Sequence, residues 1–538
     1  MKSKINNISE LVKIDSDKRN NLLALQDLYN EKEHYTYEQL SNKIDEVAGI
    51  LTKLGIKKGD RCSIFSYNCP KWVIADLAIQ KIGAVCVPIY WRASRKDIKF
   101  IVEKVKPKLI FVGDSFLNKL LLKSLNKLPQ RVLFTEKSHG TVLGWPAFCK
   151  LPLSYLTRVI KGKDLAKIVF TSGSTGLPKG VMLNHASLIY EAQKLKEAFK
   201  VSEKDRFISY LPLNHMFGLT GEVYSALCGG AEIHFSHHPK ETFSLLEKVK
   251  PTMMLTVPFI LEKIFKKSLN KVAFLGVQNT FSTLNEREPG LIYRFFLHKI
   301  GASIYKKMGG RLRCLIVGGA HLGKDVETFF KHSHLPIYQG YGMTEAAPVI
   351  AVNSPEHNKL YSVGSLLDLV KISKDGEILV KGPNVMRGYY HDKKRTSSVL
   401  KRGWLHTGDL GHLDHYGHLY VEERKDDLII LSTGKNVNPL PLEEKTEELQ
   451  EVFKSVIFGN HKPYVVGLFF VNGDVSSGLI KKISKEIEKI NTHLPHYERI
   501  GNFKLLPGKE LQQSKAMKIS RKALILDNVE EIKKLYLK

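Results

Sequence analysis

The chain of 538 residues lacks a long apolar run, an apolar leader and paired cysteines. No stretch of about 18 apolar residues occurs, which argues against a membrane-spanning helix. Residues 1–10 alternate polar and charged side chains, so we expect no secretory signal peptide. The six cysteines are scattered and form no CxxC pair, which predicts no metal or redox framework and suits the reducing cytoplasm.

Acidic residues are the scarcer charged class. The chain has 82 Lys and Arg against 54 Asp and Glu, a formal net charge of +28, and most of this excess falls within residues 1–426. Such a balance favours acidic partners, among them nucleotides, anionic lipid surfaces, acidic proteins and nucleic acid. The alternative is a solvated surface whose lysines contact no partner. No nucleic-acid-binding module is recognisable, so we expect no nucleic acid among the partners.

Hydrophobic periodicity predicts an α/β protein. Helix and strand signals alternate in the first third, where Thr36 and Gln39 predict a capping box at a helix start. This alternation is typical of parallel sheets covered by helices. From residue 362 onward, closely spaced glycines predict short strands with tight turns. Near the C-terminus a helix is predicted over 476–491. Its apolar face is expected to hold Leu479, Ile480, Ile483, Ile487 and Ile490.

We therefore expect two domains of unequal size. Residues 1–425 are predicted to form a large N-terminal domain of helix-covered sheets plus a β-rich subdomain. Residues 426–538 are predicted to form a small, mobile α+β C-terminal domain. The change of pattern just after residue 424 marks the boundary.

A loop rich in glycine and hydroxyl residues follows an apolar strand predicted at 166–170. Its residues are Thr171, Ser172, Gly173, Ser174, Thr175, Gly176, Leu177, Pro178, Lys179 and Gly180. Backbone N–H groups and hydroxyls of such a loop can surround phosphate oxygens, and Lys179 adds a positive charge. The spacing is not that of a Walker A loop. The alternative, an ordinary glycine turn, explains the density of hydroxyl groups poorly.

A second motif, residues 338–345, combines an aromatic side chain with glycines. Tyr341, beside Gly342, could lie flat against a purine. Thr344 offers a donor to a phosphate, and Glu345 offers a carboxylate to Mg²⁺. The alternative is a strand-to-helix turn in which Thr344 caps the helix.

A third motif, residues 403–411, holds Asp409 between glycines. A carboxylate in such a turn could accept hydrogen bonds from both hydroxyls of a ribose. The alternative is a hairpin turn, which is the commoner use of a Gly-Asp pair.

Taken together and in this order, the three motifs resemble the superfamily of adenylate-forming enzymes: acyl-CoA synthetases, nonribosomal peptide adenylation domains and firefly-type luciferases. The resemblance extends from about residue 35 to residue 522, nearly the whole chain. Several segments look most like bacterial long-chain fatty-acid–CoA ligases: residues 72–78, 211–218, 256–258 and 426–439.

The resemblance implies a two-step reaction that uses ATP, Mg²⁺ and CoA. ATP and a medium- or long-chain fatty acid would give acyl-AMP and pyrophosphate, and CoA would then take the acyl group and release AMP. One alternative changes the outcome of the second step: an acyl–acyl carrier protein synthetase, or a fatty acyl-AMP ligase that stops at the adenylate. An alternative of another class is a non-catalytic nucleotide- or lipid-binding protein on the same fold.

The resemblance also implies roles for residues of the larger domain. The nucleotide would contact Thr171, Ser172, Gly173, Ser174, Thr175, Gly176 and Lys179 through its β- and γ-phosphates, Gly318, Gly319 and Ala320 by close backbone approach, and Tyr341 and Gly342 through adenine. Thr344 would contact the α-phosphate, and Glu345 would hold Mg²⁺. Asp409 would bind the ribose with help from Arg424. His215 would gate access beside the acyl pocket.

The C-terminal segment is implied to supply the catalytic lysine. Lys518 matches it, and its ammonium would bridge the attacking carboxylate and the α-phosphate in the first step only; Lys515 is the alternative. Asp426 matches the hinge of the small domain. Rotation about this hinge would bring the face around Gly434 and Lys435 to the thiol channel.

Two basic, aromatic segments and one histidine cluster have two interpretations each. Residues 289–307 and 116–127 could lie on an anionic membrane, or pack as helices with a solvated basic edge. We expect a cytoplasmic protein, with membrane association through such segments as the alternative. His234, His237 and His238 could bind a metal, but no carboxylate or cysteine lies at ligand spacing, so we expect loop histidines.

Overall fold

The computed structural model describes most of the chain. The described residues are 5–14, 16–125, 127, 129–135, 137–138, 142–154, 159–171, 178–237, 239–273, 291–425, 427–433, 435–508 and 521–536. The chain divides into two compact units. The larger consists of Met1–Lys371, Leu379–His406 and Leu413–Tyr420, and the smaller of Ile372–Ile378, Thr407–His412 and Val421–Lys538.

The described strands lie between helices along most of the chain, in line with the predicted α/β class. In chain order they are β1 (Leu23–Asp27), β2 (His34–Thr36), β3 (Arg61–Phe65), β4 (Val85–Ile89), β5 (Leu109–Val112), β6 (Gln130–Leu133), β7 (Leu143–Gly144), β8 (Leu165–Thr171), β9 (Lys179–Asn184), β10 (Arg206–Ser209), β11 (Glu232–Phe235), β12 (Met253–Thr256), β13 (Cys314–Val317), β14 (Ile337–Gly342), β15 (Val349–Val352), β16 (Ser365–Leu366), β17 (Leu369–Ile372), β18 (Glu377–Lys381), β19 (Gly388–Tyr389), β20 (Leu400–Lys401), β21 (Trp404–Leu413), β22 (Leu419–Arg424), β23 (Ile429–Ile430), β24 (Asn436–Val437), β25 (Val452–Phe458), β26 (Val465–Val471) and β27 (Ile500–Pro507).

The described helices alternate with these strands. They are α1 (Ser16–Arg19), α2 (Tyr37–Lys53), α3 (Pro70–Lys81), α4 (Arg95–Val105), α5 (Ser115–Ser124), α6 (Trp145–Phe148), α7 (His185–Phe199), α8 (Met216–Gly218), α9 (Ser225–Gly229), α10 (Pro239–Val249), α11 (Pro258–Ala273), α12 (Leu291–Lys307), α13 (Lys324–His332), α14 (Lys393–Val399), α15 (Pro439–Glu447), α16 (Ser477–Thr492), α17 (Arg521–Asp527) and α18 (Val529–Lys534). Within the described ranges, no helix is both long and apolar enough to cross a membrane.

Two sheets dominate the larger unit. Among the described strands, one sheet has the order β16-β15-β14-β13-β12-β10-β11-β1-β2 and the other β19-β9-β8-β4-β3-β5-β6-β7. Pairing is parallel in the middle of both sheets, as between β3 and β4 or β12 and β13. Parallel neighbours need crossover connections, which helices such as α3 provide. The predicted helix-covered sheets are confirmed.

Helix α2 begins where the sequence predicts it. The Thr36 hydroxyl accepts a hydrogen bond from the Gln39 N–H, and the Gln39 side chain accepts one from the Thr36 N–H. This reciprocal capping box satisfies donors at the helix start. The helix ends before Gly55, whose φ of +79° suits glycine.

A buried ion pair lies in the core of the larger unit. Lys167 on β8 and Asp76 on α3 are fully buried and bonded to each other. The Tyr224 hydroxyl donates to the second Asp76 oxygen at 2.5 Å, and the Trp72 ring lies 5.5 Å from the Lys167 ammonium. Because a buried charge needs a partner, each member of the pair depends on the other.

The smaller unit has its own core. Strands β25, β26 and β27 form a three-stranded sheet among the described residues, and α16 buries Ile483 and Ile487. The predicted apolar face of α16 is wrong at Ile480, which is 43% exposed. The stripe that packs inward passes through Leu479 and Ile490 instead, and Ile480 lies to one side of it. A large N-terminal part, short strands from β16 to β22 and this smaller C-terminal part together confirm the predicted fold class.

Candidate active site

The mouth of the glycine-rich loop is formed by two paired strands. β8 and β9 are antiparallel, and Thr171 and Lys179 are partners in their ladder. The Thr171 hydroxyl oxygen is buried and has no hydrogen-bond partner among the described residues. The predicted phosphate-binding positions between them lie outside the described residues: Ser172, Gly173, Ser174, Thr175 and Gly176.

Lys179, Glu345 and Tyr389 form a triangle of polar contacts. The Lys179 ammonium lies 2.8 Å from Glu345 Oε1, and the Tyr389 hydroxyl donates to the same oxygen at 2.8 Å. The Lys179 ammonium also donates to the Tyr389 oxygen at 3.1 Å. The Glu345 side chain is only 4% exposed. A carboxylate this buried requires such partners, because its desolvation would otherwise be costly.

Tyr389 reaches this triangle through strand pairing. β19 pairs with β9, so that Tyr389 lies opposite Val181. A side-chain atom added to Gly388, whose φ is +132°, would lie 2.7 Å from Thr396, so the strand requires glycine there. The sequence motifs did not identify Tyr389; the signal was an aromatic residue directly after a strand glycine.

The loop that carries Glu345 is closely packed. A Cβ on Gly342 would lie 1.9 Å from the Pro348 carbonyl oxygen, so this position accepts only glycine. Thr344 begins a short 3₁₀ helix, Thr344–Ala346, and Met343 precedes it without a side-chain cap. The capping alternative for Thr344 is therefore wrong. Tyr341 is half-buried on β14.

Several predicted nucleotide residues follow strand ends at one edge of a sheet. Gly318, Gly319 and Ala320 come directly after β13, and Tyr341 and Gly342 end β14, its parallel neighbour. Ligands of open α/β sheets bind outside the carboxyl ends of such strands. Gly318 is buried and Gly319 has φ +86°. Because neither residue has a side chain, a ligand can approach the backbone closely at this edge.

His215 is exposed and stands directly before α8. Its ring lies 5.8 Å from the Tyr90 ring. The position agrees with a side chain that meets incoming ligands, and its gating role stays a prediction.

In the smaller unit, Asp409 and Arg424 form an ion pair. Arg424 Nη1 donates to Asp409 Oδ1 at 2.9 Å, and the Asp409 N–H donates to the Thr407 hydroxyl at 3.1 Å. Asp409 lies inside β21, so the hairpin-turn alternative is wrong. Gly408 has φ +75°, and a Cβ there would approach Arg424 to 3.1 Å. Arg424 thus orients the Asp409 carboxylate, and Thr407 fixes the Asp409 backbone.

Among the remaining predicted residues of the C-terminal segment, the structure describes Lys435. Lys435 is exposed, with its ammonium 5.7 Å from the Tyr497 ring. Asp426, Gly434, Lys515 and Lys518 lie outside the described residues.

The histidine cluster is bonded to carboxylates. His237 Nε2 lies 2.8 Å from Asp27 Oδ2, and His234 Nε2 lies 3.2 Å from Glu232 Oε2. His234 lies on β11, so the expectation of a loop histidine is wrong there; His238 is outside the described residues. No group of three or more His, Cys, Asp or Glu side chains in the described part of the chain could hold a metal ion.

The larger unit's donor set fits a triphosphate and a hard cation. Thr171 offers an unsatisfied buried hydroxyl and Lys179 a positive charge, as phosphate oxygens require. Glu345 offers the carboxylate that Mg²⁺ prefers.

Comparison with known proteins gives matches over nearly the whole chain. The sequence pattern of the AMP-binding enzyme family matches residues 14–390, and that of the AMP-binding enzyme C-terminal domain matches residues 426–538. The long-chain-fatty-acid–CoA ligase FadD15 of Mycobacterium bovis is 26% identical over 552 residues, covering 93% of this chain and 92% of its own length.

Two further proteins illustrate the likeness. The long-chain-fatty-acid–CoA ligase ACSBG2 of Rattus norvegicus is 30% identical over 458 residues, covering 77% of this chain and 69% of its own length. The structure of O-succinylbenzoate coenzyme A synthetase from Bacillus subtilis in complex with ATP and magnesium ion superposes with a TM-score of 0.71. It is 24% identical and covers 93% of this chain and 96% of its own, which supports the fold alone.

Proposed function

Because this chain belongs to the family of AMP-binding enzymes, which confirms the resemblance drawn from its motifs, we propose that it activates a medium- or long-chain fatty acid with ATP and passes the acyl group to CoA. The observation that carries the proposal is the triangle of Lys179, Glu345 and Tyr389 at the mouth of the glycine-rich loop. The similarity to long-chain-fatty-acid–CoA ligases supports the choice of acid.

The proposed chemistry overcomes the low reactivity of a carboxylate. In the first step a carboxylate oxygen forms a bond to the α-phosphorus, and the bond from that phosphorus to the pyrophosphate oxygen breaks. In the second step the thiolate sulfur bonds to the acyl carbon, and AMP leaves with the electrons of the acyl–oxygen bond. Catalysis consists largely of positioning and of neutralising phosphate charge.

Side chains of the larger unit have distinct tasks in this proposal. Thr171 donates to a phosphate oxygen, and Lys179 places its ammonium among the phosphates. Glu345 is the residue that would hold Mg²⁺, which supplies positive charge to the phosphates when bound. Tyr389 is a positioning residue, since its hydroxyl fixes Glu345 Oε1.

The C-terminal segment has the second set of tasks. We propose a domain boundary with residues 1–425 on one side and 426–538 on the other, and a hinge at Asp426. Asp409 accepts hydrogen bonds from the ribose while Arg424 orients its carboxylate. Lys518 bridges the carboxylate and the α-phosphate, and the face around Gly434 and Lys435 serves the thiol.

The cysteines support a cytoplasmic setting. All six belong to the described residues and are free thiols, as expected where thiols stay reduced. We propose a cytoplasmic location for this reason.

The test is AMP release from ATP and Mg²⁺ with fatty acids from short to long. Each acid is assayed with CoA, with holo acyl carrier protein, and with neither. Turnover that requires CoA supports the proposal and gives the chain length. Turnover that requires carrier protein, or acyl-AMP that accumulates with either thiol, moves the assignment to an acyl–acyl carrier protein synthetase or a fatty acyl-AMP ligase. Silence with every acid, despite bound ATP, would favour a binding protein.

A matched pair of variants shows whether the proposed site performs the turnover. Glu345→Gln should reduce it by two orders of magnitude or more, because a neutral amide binds Mg²⁺ poorly. Glu197→Gln, on the exposed surface of α7, makes the same chemical change and should leave turnover intact.

A further inference from the structure

A long stretch of the larger unit has basic residues and no acid. From residue 289 to residue 324 there is no Asp or Glu, whereas the whole chain has 54 in 538 residues. The basic residues of this stretch are Arg294, Lys299, Lys306, Lys307, Arg311, Arg313 and Lys324. Helix α12, Leu291–Lys307, contains the first four of them, so its surface is basic without compensation from its own residues.

The rotation of α12 about its axis is fixed by its inner side. Leu297 is 1% exposed, and Gly301 is buried. A Cβ on Gly301 would lie 1.9 Å from the carbonyl oxygen of Ser333, directly after α13. This backbone contact allows one orientation, because any larger residue at 301 would push the helices apart.

The outer side of α12 consequently presents one stripe. Phe295, Lys299, Ala302 and Lys306 follow each other at helical spacing, and all are exposed. Phe295 is 56% exposed, and the Lys299 ammonium lies 4.4 Å from the centre of its ring. Lys307, next to Lys306, is exposed as well and completes the stripe.

The lysines of this stripe are not neutralised by ion pairs within the described part of the chain. No described carboxylate forms an ion pair with Lys299, Lys306 or Lys307. On α16, by contrast, Lys489 pairs with Glu486 at 2.7 Å and Lys482 pairs with Glu451. The charge of the α12 stripe is therefore available to an external anion.

We propose that the α12 stripe (Phe295, Lys299, Ala302, Lys306 and Lys307) docks the protein on an anionic lipid surface. The stripe is straight, about 17 Å from its first residue to Lys306, and suits a flat partner. An exposed phenyl ring can enter the boundary between headgroups and acyl chains, while lysine stems lie along it and keep their ammonium groups at the phosphates. An acidic protein would match the charge but gives no role to the exposed phenyl ring at the end of the stripe.

The test is sedimentation of the full chain with vesicles of phosphatidylcholine alone or mixed with phosphatidylglycerol. The wild-type protein should bind the mixed vesicles and release them as salt rises. Lys299→Gln/Lys306→Gln/Lys307→Gln should lower the partition coefficient about 100-fold, since each basic residue near such a surface contributes about 1 kcal/mol. Phe295→Ala should lower it several-fold at any salt concentration.

The matched control removes the same charge elsewhere. Lys481→Gln/Lys485→Gln/Lys489→Gln, on the exposed side of α16, should change the partition coefficient by less than about threefold. Equal loss in both triple variants would show that only net charge matters and would overturn the assignment. Melting temperatures of both variants identify a folding defect, and none of these measurements depends on the catalytic proposal.

Two other results would also overturn it. Helix α5 exposes Phe116, Lys119 and Lys123, so loss of binding in Phe116→Ala/Lys119→Gln/Lys123→Gln with retention in the α12 triple variant would place docking there. Absence of vesicle binding together with stripe-dependent binding of an acyl carrier protein would make the partner an acidic protein.

Discussion

Removing one hydroxyl group from Tyr389 tests the triangle directly. Tyr389→Phe keeps the ring on β19 and deletes the donor that lies 2.8 Å from Glu345 Oε1. The Lys179 ammonium also loses its contact with the hydroxyl oxygen, but it keeps its ion pair with Glu345. The variant therefore leaves the charges in place and removes only the orientation of the carboxylate.

The size of the effect follows from the type of hydrogen bond. A bond to a charged, buried group contributes about 1.5–3 kcal/mol. If the proposal is right and Glu345 acts in adenylation, this corresponds to a loss of about 10- to 100-fold in kcat/KM for ATP. Transfer from supplied acyl-AMP to CoA should change less than about twofold, because the phosphates that leave in the first step are absent.

The assay measures the two half-reactions separately. Single-turnover formation of acyl-AMP reports the first step, and thioester formation from synthetic acyl-AMP reports the second. Tyr390→Phe is the matched control: this neighbouring tyrosine is half-buried and packs against the core of the β3–β5 sheet. Adenylation by Tyr389→Phe at the wild-type rate, with an unchanged melting temperature, would refute the argument that the hydroxyl positions Glu345.

Three more predictions concern catalysis, the core and pH. Lys518→Ala should abolish adenylation but spare thioester formation from supplied acyl-AMP; equal loss of both half-reactions would disprove its assigned role. Lys167→Met should lower the free energy of unfolding by about 3–5 kcal/mol because it leaves Asp76 buried and charged. The melting temperature should recover in Lys167→Met/Asp76→Asn, and failure to recover would contradict the pair's role. Burial raises the pKa of Glu327 to about 7, so its folded form holds a proton that the unfolded chain releases above about pH 4.5. The free energy of unfolding of the wild type therefore falls as pH rises from about 4.5 through 7. The melting temperature of Glu327→Gln should rise relative to that of the wild type between pH 5 and 8; a constant difference between the two would contradict the raised pKa.

Local sequence signals predicted the elements well where a short-range interaction decides the structure. Thr36 and Gln39 form the predicted capping box, and Ser476 caps α16 within one residue of the expected start. The predicted burial of Ile480 was wrong because periodicity alone does not indicate which edge of an apolar face packs against the sheet. A narrow helix stripe is chosen by the packing partner, which the local sequence does not contain.

The sequence motifs did not predict the contacts between segments that are distant in the chain. Tyr389 meets Glu345 and Lys179 only because β19 pairs with β9, more than two hundred positions earlier in the chain. Lys167 lies in a strand predicted from its apolar residues, and its charge was the unused signal that a buried acid must lie nearby. Both misses arise from tertiary pairing.

Pairing between β8 and β9 also defines the end points at which the glycine-rich loop can be replaced by engineering. Thr171 and Lys179 are cross-strand partners, so the distance between the ends of the glycine-rich loop is set by the sheet. Loops from relatives can be grafted between these two positions without change to either strand. A deletion inside β9, however, would turn Lys179 to the opposite face of the sheet. Chimaeras joined at 171 and 179 should therefore keep the lysine beside Glu345, while crossovers within the strand should lose it.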